Sequence, residues 1–354
     1  MPGPPLPNEL ELTLIGPNVG ESVIAHYQGN WFLFDSCTDR KTGEPAAHVY
    51  LTSIGVQPEQ VRVIACTHWH DDHFRGLGRL SEVYSHAQLW MSHALRREEF
   101  IDVVEAWRNF PSGAYPHTSG LEELTKCVDI ARERNRPPMF ASHDKRMWLS
   151  EDGTGELWSL SPSAAMIVKS QQDIAALFPA TWSIKKAAAE SRPNHIAVAM
   201  HLRAGNHSII LGSDLEEEGD PQTGWSAVIA STAKPPQRGS LYKVAHHGSE
   251  TGHHGGIWTS LLSARPVAVL SPFSRSHLPR DSDVTRLKGL SSAVYITAKR
   301  GKTEVKRTGA VGKFTQQKKL RVIAGLAGAV TCRIDASNPA AEWSIQLEGL
   351  AEKL

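Results

Sequence analysis

Between His68 and His73 the chain reads His-Trp-His-Asp-Asp-His, directly after the apolar run Val61 to Cys66 and Thr67. No other feature limits the possible folds as much. Four potential metal ligands, His68, His70, Asp72 and His73, fall within six residues. Imidazole and carboxylate donors so close together suit zinc or a similar divalent ion once a tight loop turns them into one cavity. The apolar run has the length and composition of a strand, so the loop belongs at a sheet edge. Two ions held close together need more ligands than one loop provides, including an anionic bridge that offsets their repulsion. A fold that satisfies this loop must bring distant segments to the same edge.

Later segments offer such groups in order. Asn194-His195 precedes the apolar run Ile196 to Leu202, Ile209-Ile210-Leu211 runs into Gly212-Ser213-Asp214, and Lys243-Val244-Ala245 runs into His246-His247-Gly248-Ser249. Leu10 to Ile15, Val23 to Tyr27 and Trp31 to Phe34, separated by Gly-containing turns, predict an antiparallel meander that ends at Asp35. Val49 to Ile54 reads as a helix tail. Met147 to Leu149 and Glu156 to Leu160 read as a hairpin, Ser163 to Phe178 as a helix, and Val267 to Leu270, Ala293 to Thr297, Ala329 to Ile334 and Trp343 to Leu347 as further strands.

The spacing His-x-His-x-Asp-His resembles the signature of the metallo-β-lactamase superfamily, and the resemblance runs from about residue 9 to at least residue 300. It implies an α/β fold, a four-layer αββα sandwich, with residues 9–350 as one domain and a helical insertion at about 92–145. It also implies that Asp35 braces the metal loop by hydrogen bonds, that His195 joins His68 and His70 around one ion, and that Asp214 bridges two ions. His195 has His143 and His117 as competitors. The second ion takes Asp72, His73 and one of His246 and His247; strand alternation does not choose between these two, and the other contacts substrate or orients the ligand. The His246-His247-Gly248-Ser249 set, with Gly-x-Asp-Leu-Glu before it and Ser276-His277-Leu278-Pro279 after it, is similar to the hydrolase domain of bacterial competence DNA-uptake proteins and their free-standing relatives. The serine before His277 and the intervening Leu278 depart from that pattern and weaken a substrate role for His277. A histidine at position 195, absent from many competence-type domains, argues for two metals.

The stretch from Phe74 to Arg192 exceeds what such a core needs between its motifs. Ser92 is expected to cap a helix reaching about Phe110, with Phe100, Val103, Val104 and Trp107 at helical spacing, and Ser119 to open a second helix from Leu121 to Arg134. Such an insertion lies where a lid over the metal cleft would sit. With 38 basic and 37 acidic residues, global charge gives no argument for nucleic-acid or membrane attraction. The one basic cluster, Lys302 to Lys319, is expected to be a solvated loop, with a polyanion contact as the sharper alternative. Four scattered cysteines suit a reducing, cytoplasmic compartment. No signal peptide is expected, and no apolar run approaches the roughly 20 residues needed to span a bilayer.

The resemblance implies hydrolysis at two divalent ions, zinc first, with manganese or iron accepted by the same donors. A hydroxide shared by the ions supplies a nucleophile at neutral pH, because metal binding lowers the pKa of water to about 7. Asp72 and Asp214 position and deprotonate the water, and His246, His247 or His277 stabilises the charge that develops. The favoured substrate is a phosphodiester in nucleic acid or a nucleotide. The alternatives are a lactone, thioester or β-lactam, and a role as a subunit of a bacterial defence assembly with a protein partner. No phosphate-binding loop of the Walker type is present.

Overall fold

A computed structural model describes residues 3–17, 19–95, 119–176, 193–300 and 327–354. Positions 96–110 of the helix expected from Ser92 to about Phe110, His117 and the basic cluster within 301–320 lie outside these residues.

Strands β1 (Glu9–Gly16), β2 (Ser22–Tyr27) and β3 (Asn30–Phe34) form the expected antiparallel meander. β4 (Val61–Cys66), β5 (Gln88–Ser92) and β6 (Met139–Ala141) continue the sheet in parallel beside β3. β14 (Gly328–Asp335) and β15 (Ser344–Glu348) complete its other edge, giving eight strands in the order β15-β14-β1-β2-β3-β4-β5-β6. The second sheet also has eight strands, β16-β13-β12-β11-β10-β9-β8-β7. Its members are β7 (Lys145–Leu149), β8 (Gly155–Ser159), β9 (Met200–Ala204), β10 (His207–Leu211), β11 (Gly239–Lys243), β12 (Leu262–Leu270), β13 (Ala293–Ile296) and β16 (Glu352–Lys353). Neighbours from β10 to β13 are parallel.

Three apolar layers hold these sheets. Leu10, Leu12 and Leu14 alternate out of β1 toward the second sheet, where they join Phe32, Val63, Leu202, Ile209, Leu241 and Val269 in a core between the sheets. The opposite face of the first sheet packs on helices α1 (Ala46–Ser53), α3 (Leu77–Val83) and α4 (Ser119–Glu133) through Tyr50, Leu51, Leu77, Leu80, Leu124 and Cys127. The outer face of the second sheet packs on α6 (Gly224–Ala230) and α7 (Asp281–Leu290) through Trp225, Val228 and Leu287. The result is the α/β four-layer sandwich of metallo-β-lactamase type. Short helix α2 (Asp71–Phe74) closes the His-rich loop, and α5 (Ala164–Ala176) follows the β7–β8 hairpin.

Several boundaries differ from the expectations. Ser92 ends β5 directly before the 3-10 turn His93–Leu95, and its hydroxyl donates to the Ile196 carbonyl at 2.8 Å instead of serving that turn. The strand expected from Ile196 begins only at Met200. The backbone before it is satisfied elsewhere: Val198 N donates to Thr67 O, and the Ser161 hydroxyl donates to Ala197 O and accepts from Ala199 N. His195 therefore sits in a short 3-10 turn, Pro193–Ile196. Within the span 92–145, α4 is part of the outer helical layer, where Glu123 accepts hydrogen bonds from Gly76 N and Gly78 N, and β6 is a strand of the first sheet.

Candidate metal centre

The centre forms where the parallel strands of both sheets end together, the usual place for ligands in such sheets. β3 delivers Asp35, β4 the loop 67–73, β10 Asp214, β11 His246 and His247, and β12 Ser271. Gly212 allows the turns after β10 and β11 to approach, since a Cβ there would lie 2.7 Å from Ala245 N. Five of the nine non-glycine residues with positive φ among the described residues stand in or beside this region: Asp35, Ser213, His246, His247 and His277. Backbone held in so sparsely populated a region concentrates at functional sites.

Asp72 Oδ2 lies 3.4 Å from His73 Nε2 and 3.6 Å from His247 Nε2, and Asp214 Oδ2 lies 3.5 Å from each of the same two nitrogens. His68 Nε2 approaches Asp214 Oδ2 at 4.0 Å, and the half-buried His70 ring stands edge-on to His68 with centroids 5.0 Å apart. His68, His73 and His247 are buried, yet their Nε2 atoms and Asp214 Oδ1 have no hydrogen-bond partner. Buried polar atoms are rarely left so, and convergent orphans of this chemistry fit a divalent cation.

The supporting shell is satisfied. Asp35 accepts hydrogen bonds from Thr67 N (2.8 Å), Thr67 Oγ1 (2.7 Å) and His73 Nδ1 (2.8 Å). This is the bracing role expected of it, and it turns His73 Nε2 toward Asp72 and Asp214. On the other side, His247 Nδ1 lies 3.2 Å from the Ser271 carbonyl, and the Ser271 hydroxyl donates to Glu21. Glu21 in turn pairs with Lys243, both side chains 1% exposed. Glu21, Lys243 and Ser271 had no role in the expected site. The usable signal was Lys243 itself, a charge inside the apolar strand Leu241-Tyr242-Lys243-Val244, which demands a buried anion.

Electrostatics favour cations here. The carboxylates of Glu21, Asp35, Asp214 and the 11%-exposed Asp72 face a single buried ammonium, that of Lys243. Beyond that pair, the remaining negative charges in this dry setting need protonated imidazoles or bound cations to offset them. Burial opposes a charge on His73 and His247, but Asp214 and Asp72 beside them hold His73 well above the ordinary imidazole range and push His247 up to about 10. Burial equally opposes ionisation of Asp72 and Asp214, whose carboxyls these imidazoles nevertheless hold far below the usual range. Burial, with His73 second, drives His68 well below the usual imidazole value. Protons and metal ions compete for the same field.

The other expected residues are placed differently. His246 belongs to an adjoining array: its Nδ1 lies 2.9 Å from Glu216 Oε1, and its Nε2 3.2 Å from Asn194 Nδ2. Of the two neighbouring histidines, His247 is the one that faces Asp72 and Asp214. His195 Nε2 lies 3.1 Å from Glu216 Oε2, and its Nδ1 2.6 Å from Glu218 Oε1. Its competitor His143 is partly exposed beside Asp144. His277 is exposed on a turn closed by the Phe273–Leu278 bridge, and Phe273 stacks on His247 with centroids 5.2 Å apart. Glu216 and Glu218 went unassigned because nothing in an acidic run distinguishes a solvated face from one that captures buried imidazoles.

This fold and this convergence of donors define a class, and the chain belongs to the metallo-beta-lactamase superfamily, which matches it over residues 15–272. Its members are largely metal-dependent hydrolases. Among solved structures, the chain is similar to the metallo-beta-lactamase fold protein YhfI from Bacillus subtilis, with 12% identity and a TM-score of 0.39 over 82% of this chain and 96% of that one. It is similar also to a metallo-beta-lactamase with a HARLDQ motif from Cronobacter sakazakii, with 16% identity and a TM-score of 0.34 over 59% of this chain and 62% of that one. A third is MEM-A1, a subclass B3 metallo-beta-lactamase from a soil metagenome library, with 14% identity and a TM-score of 0.34 over 70% of this chain and 79% of that one. The chain thus spans less than two thirds of the Cronobacter sakazakii protein, 62% of its length. No curated protein matches. No described helix is long and apolar enough to cross a membrane.

Proposed function

We propose that this protein is a metal-dependent phosphodiesterase acting on nucleic acid or a nucleotide. The observation that carries the metal-dependent part is the set of buried Nε2 atoms on His68, His73 and His247 that converge on Asp214 without a hydrogen-bond partner. Asp72, His73, Asp214 and His247 would hold one ion, and His68 and His70, with Asp214 shared, a second; zinc suits these donors, as do manganese and iron. Divalent ions bound there supply Lewis acidity and an activated water at neutral pH.

The protein's own groups account for the rest. Asp35 and Ser271 hold the rings of His73 and His247 in place, and Asp72 offers a carboxylate to a water proton. An anionic substrate is favoured by the turn after β12: exposed Arg275 and His277 ride on it, and it is pinned to the centre by Phe273 on His247. The His246-His247-Gly248-Ser249 turn supports the competence-type reading. A carbonyl substrate would use the same centre with a different pocket.

The test is a panel assay on chelator-stripped protein reloaded with zinc or manganese, using bis-p-nitrophenyl phosphate, single- and double-stranded DNA, RNA, cyclic nucleotides, a lactone, a thioester and a β-lactam. Phosphodiester turnover that Asp72→Ala abolishes is expected. Turnover confined to the carbonyl substrates would overturn the phosphodiester reading. Activity only after co-purification with another protein would move the function to an assembly.

A further inference from the structure

We infer that Glu216 and Glu218 hold His195 away from the metal centre, so that the two ions bind unequally. One binds tightly on Asp72, His73, Asp214 and His247, and the other weakly on the side of His68 and His70. This rests on the metal-binding reading above.

The geometry separates His195 from the other buried imidazoles. His68, His73 and His247 each keep an Nε2 without a hydrogen-bond partner, those of His73 and His247 standing 3.4–3.6 Å from the Asp72 and Asp214 carboxylates. His195, 8% exposed, has both ring nitrogens at carboxylates, 3.1 Å from Glu216 and 2.6 Å from Glu218. Both nitrogens thus point at carboxylates, which compete with a metal for them. The two glutamates are themselves anchored. Glu216 Oε1 takes His246 Nδ1 and Thr251 Oγ1, each at 2.9 Å, and Glu218 Oε2 takes Lys169 Nζ at 3.0 Å and Thr223 Oγ1 at 3.3 Å. Releasing His195 therefore means breaking two polar contacts at a nearly dry position. Without it, the second ion has His68, His70 and a shared Asp214, fewer protein donors than the first. The chain would thus work with one resident ion and a second that arrives with substrate or at high metal concentration.

The experiment is calorimetric titration of the chelator-stripped, full-length protein with zinc, followed by cobalt(II) absorption spectra that report coordination at each step. Wild type should bind one ion tightly and a second at least ~10-fold more weakly. Glu218→Gln, which leaves the Glu216–His246 contact in place, should tighten the second ion roughly 10- to 100-fold and leave the first unchanged. The unchanged first ion doubles as the check that the variant is folded, and Glu216→Gln should act in the same direction. Equal affinities in wild type would overturn this inference alone. So would loss of the second ion in either variant, since that would make the glutamate a ligand. Binding of no ion at all would overturn both this inference and the metal-binding reading.

Discussion

Asp35→Asn keeps the shape of a buried side chain and changes only what it can accept. The carboxylate takes three hydrogen bonds, from Thr67 N, Thr67 Oγ1 and His73 Nδ1. An amide with its oxygen on Thr67 N must point its NH2 at Thr67 Oγ1 and His73 Nδ1. The threonine hydroxyl can rotate. The imidazole can relieve two opposed donors only by moving its proton to Nε2, the atom that faces Asp72 and Asp214 at 3.4 and 3.5 Å. That tautomer has no lone pair for a cation. Loss of one hydrogen bond to a charged acceptor is worth about 1.5–3 kcal/mol, or roughly 10- to 150-fold in affinity. This agrees with the ~10- to 100-fold seen when groups that orient metal ligands are changed. Zinc competition against a chromogenic chelator measures the effect, with circular dichroism to confirm the fold. A folded Asp35→Asn protein that binds zinc within about twofold of wild type would refute the tautomer argument.

Lys243→Met should strand Glu21 in a dry site and lower stability by about 3–5 kcal/mol in urea unfolding; adding Glu21→Gln should recover most of that loss, and additive losses would show that the pair is not the cause. Gly212→Ala forces a Cβ to within 2.7–2.8 Å of Ala245 backbone atoms and should cost about 1–3 kcal/mol by thermal melting, with weaker zinc binding as Asp214 shifts. His26 and His201 are pushed down to about 4, burial being the largest cause in both. A depressed imidazole favours the folded protein above the unfolded value near 6.5, and that stability is lost as pH falls toward 4, by about 2 kcal/mol per residue at pH 5. In chelator-stripped protein, His201→Gln should therefore flatten the fall in urea stability between pH 7 and 5; an unchanged slope would rule the group out.

The parts of the molecule legible in advance are those in which local pattern and chemistry coincide. The His68–His73 loop follows an apolar strand and Asp214 ends one, so each announces its place at a sheet edge. The Ser92 hydroxyl, expected to serve the turn that follows it, is instead taken by a carbonyl more than a hundred positions away. The strand after His195 started late for a similar reason, its backbone being satisfied by Thr67 and Ser161. Glu21 illustrates the limit. It stands in a turn without a motif, and only folding places it against Lys243 and Ser271 from the opposite sheet. The choice between His246 and His247 likewise required the left-handed turn that sends adjacent side chains to different partners.

The pairing of β1 with β14 also bears on how the protein is made. Gly16 and Gly328 are partners in that ladder, with Glu9 opposite Asp335 at the other end. At roughly 5–20 residues per second on the ribosome, β1 waits on the order of 15–60 s for its neighbour. Through that interval one side of the first sheet is an open edge able to recruit strands from other nascent chains. Slow or stalled translation between Ser271 and β14 should thus damage the yield of folded protein more than the same delay placed early, although the donors of the metal centre have by then all been synthesised.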